Sequence, residues 1–517
     1  MKYFFVLLIA MCKLSLVIGQ STYWQQQVNY KITVTLNDRE HSLDAFEKIT
    51  YTNNSPDTLR FIWFHIWPNA YKNDRTAFAE QTLKNGSSAF YFSADSSKGY
   101  INQLDFKVDD VAAVTEEHPN YIDIIKLLLP KPLPPNETIN IATPFHVQLP
   151  YNFSRGGHIG QSYQITQWYP KPAVYDSKGW HEMPYLDQGE FYSEFGNFDV
   201  KITLPANYIV AASGELQDKN ELDKLKALGK IEPSLQNNNA AYASIKKQQK
   251  KIIAGTSKKV KSNPTIIFAA PIKTLQYKLD SCHDFAWFAD KEFIVQYDTV
   301  ALLQKTVDVF SYYHPTMMGN WKKSTEYAKD GLKKYSQWIG EYPYSIASIV
   351  SGASNENSGG MEYPTITLIT TQMGGQPLDG TIVHELGHNW FYGALASNER
   401  DHAWMDESMN NFYQKRYEAE KYPTHTPTKN NFFSNRMPID AEMLAVAAFE
   451  GVKKDQHIDT LSPAYSSLNY ALMVYAKGSK WMKLLEQDLT LATFDKAMQS
   501  YYNQWKFKHP YPEDFKK

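Results

Sequence analysis

The sequence predicts a multidomain chain in which an N-terminal antiparallel β domain is followed by an α+β domain. Three observations carry that expectation. At 517 residues the chain is long enough for two large domains or three ordinary ones. Its first two hundred residues alternate apolar and polar side chains at the strand period, with turn residues between the runs. After about residue 291 the period lengthens towards that of helices. With 43% hydrophobic and 14% aromatic residues the chain can bury a sizeable core, which excludes a wholly disordered protein. Charge is balanced, 53 Lys and Arg against 55 Asp and Glu, so nothing global argues for a nucleic-acid partner. Two cysteines, Cys12 and Cys282, cannot form a disulfide framework.

The elements follow in order. Lys2, the apolar run Tyr3–Met11 and a small residue at Gly19 read as a signal peptide over 1–19, so export to a periplasmic or extracellular space is expected. Lys13 interrupts the run, and no later stretch is long enough for a stable membrane span. The β domain is expected over 20–290, with strands at Tyr30–Leu36, Phe46–Tyr51, Phe61–Trp67, Tyr121–Leu129, Thr138–Leu149 and Phe198–Leu204. A Lys-, Gln- and Asn-rich segment, 215–263, reads as a solvated insertion, because no aromatics interleave its lysines as a nucleic-acid surface would require. Thr299–Tyr313 and Trp321–Ile339 read as amphipathic helices, Ser345–Ser351 and Thr365–Thr370 as strands, and the chain from Gly380 onward as mainly helical.

The chemistry lies in the second half. His384-Glu385-Leu386-Gly387-His388 places two imidazoles four residues apart on one helix face, where both can reach one metal ion. Glu385 projects beside them and can hold a metal-bound water. A catalytic zinc takes three protein ligands and keeps one position open. Glu407, with 18 residues between it and His388, supplies the third; Asp406 is the rival, one residue away on a different helix face.

This constellation resembles the M1 family of zinc aminopeptidases, gluzincins with that same interval; thermolysin-type endopeptidases are similar but typically differ by one residue in it. Other segments match in family order. Gly359-Gly360-Met361-Glu362 resembles the Gly-x-Met-Glu-Asn motif, Val474–Gly478 the Tyr-x-Lys-Gly segment, and His283–Asp290 the stretch joining the β and catalytic domains. Gln161, nine residues before Pro170, stands where the family places a Glu or Gln that enters the site from the β domain. The resemblance implies a thermolysin-like catalytic domain over 291–517. It also implies one zinc per chain on His384, His388 and Glu407, with Glu385 as general base. Tyr475 would stabilise the oxyanion, with Tyr470 its near competitor. Glu362 and Gln161 would receive the substrate's free α-amine, and Gly359, Gly360 and Met361 would lie along the substrate backbone. Peptides with a free N-terminus are then the expected partners. The family continues with further helices where this sequence stops, so either a truncated catalytic domain or a minimal protein is expected.

Two departures stand out: Tyr363 replaces the motif's Asn, and Gln161 is neutral where a Glu would add a second charge. They keep a thermolysin-like endopeptidase, and a non-catalytic peptide-binding relative, as alternatives. Cys282-His283 is read as structural, since neighbours in a strand point to opposite faces. His181-Glu182 lacks a third metal partner by spacing, and Phe61–Trp67 reads as core. Oligomeric state leaves no signal in the sequence.

Overall fold

Strict alternation builds the first half of the protein. In Gln27–Asn37 the side chains of Val28, Tyr30, Ile32, Val34 and Leu36 are buried, while Lys31, Thr33 and Thr35 face outward. A computed structural model describes residues 23–236, 271–352, 359–423 and 441–516; the expected signal peptide therefore lies outside the described residues. Gln27–Asn37 sits inside a nine-stranded sheet. It pairs antiparallel with Ser42–Thr52, which pairs with Thr138–Gln148. On its other side it pairs with Gly196–Pro205, which continues to Ile272–Cys282. The contact with Gly196–Pro205 is parallel, with Tyr30 beside Phe198, in a sheet whose other strand pairs are antiparallel among the described residues. Two four-stranded sheets pack nearby, one around Leu59–His65 and Ile124–Leu133, the other joining Ser162–Ile165 to Trp287–Asp290 and Ile209–Ala212. Ile62, Phe64 and Trp67 enter the core, as the dense aromatic run suggests.

Trp287–Asp290 closes the last of these sheets, and a five-stranded mixed sheet begins at Ile294. Its order is Ile294–Ala301, Thr306–Tyr313, Ile346–Ser351, Ile366–Ile369 and Gly360–Met361, with Gly360–Met361 on the edge. Helices Ser324–Trp338, Gln376–Gly387 and Glu407–Lys421 pack together beside this sheet. Beyond them come Gly478–Leu489 and Leu491–Trp505. Among the described residues no helix is long and apolar enough to cross a membrane.

Three local expectations are corrected. Thr299–Tyr313 is not a helix but most of a hairpin, turning where the Leu302 amide donates to the Lys305 carbonyl. Its second strand is buried at Val307, Val309, Phe310, Tyr312 and Tyr313, and such a doubly buried run loses the alternation that distinguishes strand from helix. The predicted insertion contains an ordered helix, Lys219–Gly229, capped by the Asp218 side chain on the Glu221 amide and packed on Ile294–Ala301; residues 237–263 lie outside the described residues. The short helix Ala77–Lys84 was not anticipated. It starts where the Thr76 hydroxyl accepts from the Ala79 amide, and its eight residues are too few for a periodic signal.

Candidate metal centre and substrate cleft

The helix Gln376–Gly387 is held from both sides. Leu378, Ile382, Val383 and Leu386 are buried. The buried carboxylate of Asp379 accepts from the hydroxyls of Tyr417 and Tyr422 and pairs with Lys421, tying this helix to Glu407–Lys421. Asn410 Nδ2 donates to the His384 carbonyl at 2.7 Å. The two helices approach so closely that a Cβ on Gly387 would lie 2.0 Å from Asn410 Oδ1.

At that crossing three predicted ligands converge. His384 Nε2 lies 3.2 Å from His388 Nε2 and 3.2 Å from Glu407 Oε2, and His388 Nε2 lies 3.5 Å from the same oxygen. The outer ring nitrogens are engaged elsewhere: His388 Nδ1 with Asp406 Oδ1 at 2.7 Å, His384 Nδ1 with Gln414 Oε1 at 2.9 Å. Donation outward by both Nδ1–H groups leaves the Nε2 lone pairs facing inward. Glu407 Oε2 is buried and, among the described residues, has no hydrogen-bond partner. Three electron-pair donors thus face one another, an arrangement a cation satisfies. Tetrahedral zinc with bonds of about 2.0–2.2 Å sets its ligands about 3.3 Å apart, so the set fits that ion. Asp406, the rival ligand, stands behind His388 and orients it. Asp406→Asn is expected to weaken zinc affinity by about 10- to 100-fold, read by competition with a chromogenic chelator.

Glu385 is buried beside these ligands. Burial, reinforced by the Glu407 and Glu190 carboxylates and opposed by the two histidines, pushes its pKa up to about 7. Gly360 makes room for it: a Cβ there would stand 2.5 Å from the Glu385 carboxyl carbon. Burial would raise Glu407, but His388 and His384 hold it well below the usual carboxylate range. Burial works against a charged His388, yet the carboxylates of Asp406, Glu407 and Glu362 outweigh it and raise its pKa.

Tyr475 stands on a widened helical turn, Tyr470–Lys477, in the π conformation. The Ser408 hydroxyl and the Asn411 amide, both on the Glu407 helix, donate to the carbonyls of Val474 and Tyr475 and fix that turn. The Tyr475 hydroxyl donates to Glu407 Oε1, whereas Tyr470, its competitor, donates to Glu399 at 2.7 Å.

These groups line one cleft of about 520 Å³, together with Gly359, Gly360 and Glu362 from the sheet edge. Met361 is buried behind that edge, and Tyr363 packs in the core near Phe288 instead of entering the cleft. Gln161, expected at the substrate amine, does not line this cleft. It sits in the turn between Gly157–Ile159 and Ser162–Ile165, donates to Asp38, accepts from Lys291, and lines a separate cavity of about 470 Å³. A hairpin turn carries its side chain to the surface, away from the cleft.

The β half instead contributes Glu190, which sequence reasoning missed. Its loop turns at Gly189, at φ +90°, where a Cβ would meet Ser462 at 2.7 Å. Glu190 Oε1 pairs with Arg155 Nη2 at 2.5 Å. Its Oε2 and Oε1 of Glu362 are buried and, among the described residues, without hydrogen-bond partners. Burial and then the Glu190 charge hold the Glu362 pKa well above its ordinary value. Only a carboxylate beside a turn glycine marked Glu190 in the sequence. The other singled-out pairs are structural. The Cys282 thiol donates to the Asp284 carbonyl, His283 bonds the Tyr392 carbonyl, and His181 pairs with Asp176 at 2.9 Å.

A strand-rich half thus feeds one carboxylate into a cleft built on a His-Glu-x-x-His helix and a distant Glu. Comparison with known proteins adds to this: residues 324–517 match the Peptidase family M1 domain. The fold is shared with the M1 zinc metallopeptidase from Deinococcus radiodurans, at TM-score 0.57 and 12% identity, over 95% of this chain and 89% of that one. Among curated relatives, glutamyl aminopeptidase of Rattus norvegicus is 23% identical over 223 residues, 38% of this chain and 22% of the relative. Aminopeptidase N of Lactococcus lactis subsp. lactis is 26% identical over 180 residues, 34% of this chain and 20% of the relative. The matched stretches thus span about a fifth of the length of these two relatives.

Proposed function

We propose that the protein is a zinc-dependent aminopeptidase that removes single residues from the free N-terminus of peptides. The observation that carries this reading is the pair of buried, incompletely partnered carboxylates, Glu190 and Glu362, in the same cleft as the His384, His388 and Glu407 set. A buried carboxylate without a partner is costly, and a substrate ammonium satisfies both at once. An internal peptide N–H would not, which disfavours the endopeptidase reading.

One zinc per chain, held by His384, His388 and Glu407, would polarise the scissile carbonyl and acidify the attacking water. Glu385, poised near neutrality, takes the proton of that water and passes it to the leaving amine. Tyr475 turns its O–H from Glu407 to the tetrahedral oxyanion, a contact strongest in the transition state. The sheet edge at Gly360–Met361, which lines the cleft, would lie along the substrate backbone. Glu190 and Glu362 fix the amine, so only the first peptide bond reaches Glu385. Export guided by Met1–Gly19 would place this activity outside the cytoplasm. Mass spectrometry of the products tests the reading: stepwise loss of N-terminal residues is expected, and internal fragments from the outset would overturn it.

A further inference from the structure

We propose that Arg155 is a positioning residue for amine recognition, a bracket that aims Glu190 at the substrate ammonium; this rests on the aminopeptidase reading above. Arg155 is buried between the two halves of the protein. Its Nη1 donates to the Leu186 carbonyl at 2.9 Å and its Nη2 to Glu190 Oε1 at 2.5 Å, and its Nε–H points to Met361 Sδ at 3.2 Å. One planar group therefore touches the acid from the β half and the residue next to Glu362 from the catalytic half. Its guanidinium lies 5.3 Å from the centre of the Phe191 ring, and Arg400, 5.9 Å from that ring, donates its Nε–H to the Glu190 carbonyl at 2.8 Å. Backbone and side chain of Glu190 are thus held by two separate arginines.

The consequence is directional. Arg155 occupies Oε1 of Glu190 and leaves Oε2 buried with its lone pairs unused. Without the fork, repulsion from Glu362 would drive the Glu190 side chain away from the amine position. A lysine restores the charge but not the three-point geometry, because an ammonium is a point donor on a flexible stem. Arg155 touches no substrate atom in this account; it acts through Glu190.

The test uses zinc-loaded Glu385→Gln protein, which binds without turnover, and calorimetric titration with Leu-Gly-Gly and its N-acetylated twin. Arg155→Met in that background is expected to weaken Leu-Gly-Gly binding by about 10- to 100-fold and to leave the acetylated peptide unchanged. Arg155→Lys, which keeps the buried charge and so folds, is expected to lose most of the same preference. Combining Arg155→Met with Glu190→Gln should weaken binding no further than Glu190→Gln alone. With Glu385 intact, Arg155→Lys should raise KM and hold kcat within about threefold. Undiminished binding by the Arg155→Lys protein, or losses that add in the double variant, would overturn the role of Arg155 while the aminopeptidase reading stands. Equal binding of both peptides by the parent protein would overturn both.

Discussion

Zinc-loaded protein carrying Glu385→Gln is expected to hydrolyse free-amine peptides about 10²- to 10⁴-fold more slowly than the parent. The amide keeps the size of the carboxylate, so it still fits the space that Gly360, lacking a Cβ, leaves open, and the packing of the helix is undisturbed. What it loses is the ability to accept a proton. His384, His388 and Glu407 remain, and their outward bonds to Gln414 and Asp406 do not involve residue 385. Zinc content should therefore stay at the parent level while kcat falls. Loss of the ion along with activity would assign Glu385 to metal retention, and a fall of less than about tenfold would remove it as the base.

Asp284→Asn is expected to destabilise the protein by about 3–5 kcal/mol. Asp284 and Lys171 are each 1% exposed and pair at 2.8 Å, with the Lys171 ammonium over the rings of Trp67 and Tyr169. Gln167, Tyr169 and the Phe285 amide complete the carboxylate's hydrogen bonds. Removing the negative charge leaves the Lys171 ammonium buried without compensation. Urea unfolding measures the loss, and a difference under about 0.5 kcal/mol would contradict it. Replacing both residues with Lys171→Met and Asp284→Leu should cost less than Asp284→Asn alone, because no unpaired charge remains. The pH dependence has a definite sign. Burial would raise the Asp284 pKa, but Lys171 and the hydrogen bonds outweigh it and hold it below the ordinary value. A depressed native pKa contributes stability that is full above the unfolded value of about 3.9 and fades as the pH falls towards the native one. The parent should therefore lose stability below about pH 4 more steeply than Asp284→Asn.

Much of the metal centre was legible because its logic is local. His384 and His388 are four residues apart on a helix, and such spacing survives any tertiary arrangement. Glu407 was legible from a fixed interval in chemistry that needs a third ligand. Strands such as Gln27–Asn37 were legible because one face is buried and the other is not. The misses share a cause. Glu190 reaches the cleft only because a loop turns at Gly189 and two arginines hold it, contacts that span up to 210 residues of sequence. Gln161 was placed by counting back from Pro170, and counting cannot tell a hairpin turn from a strand aimed at the site. Thr299–Tyr313 was misread as a helix because burial on both faces of Thr306–Tyr313 erases the period of two.

The central claim is that Glu190 and Glu362 require a free α-amine before Glu385 acts. The most direct measurement compares kcat/KM of the zinc-loaded protein on one short peptide and on its N-acetylated twin. A loss of at least about 10²-fold on acetylation is predicted, since the cap removes the ammonium and leaves Oε2 of Glu190 and Oε1 of Glu362 buried without a partner. Equal rates on the two peptides would contradict the account.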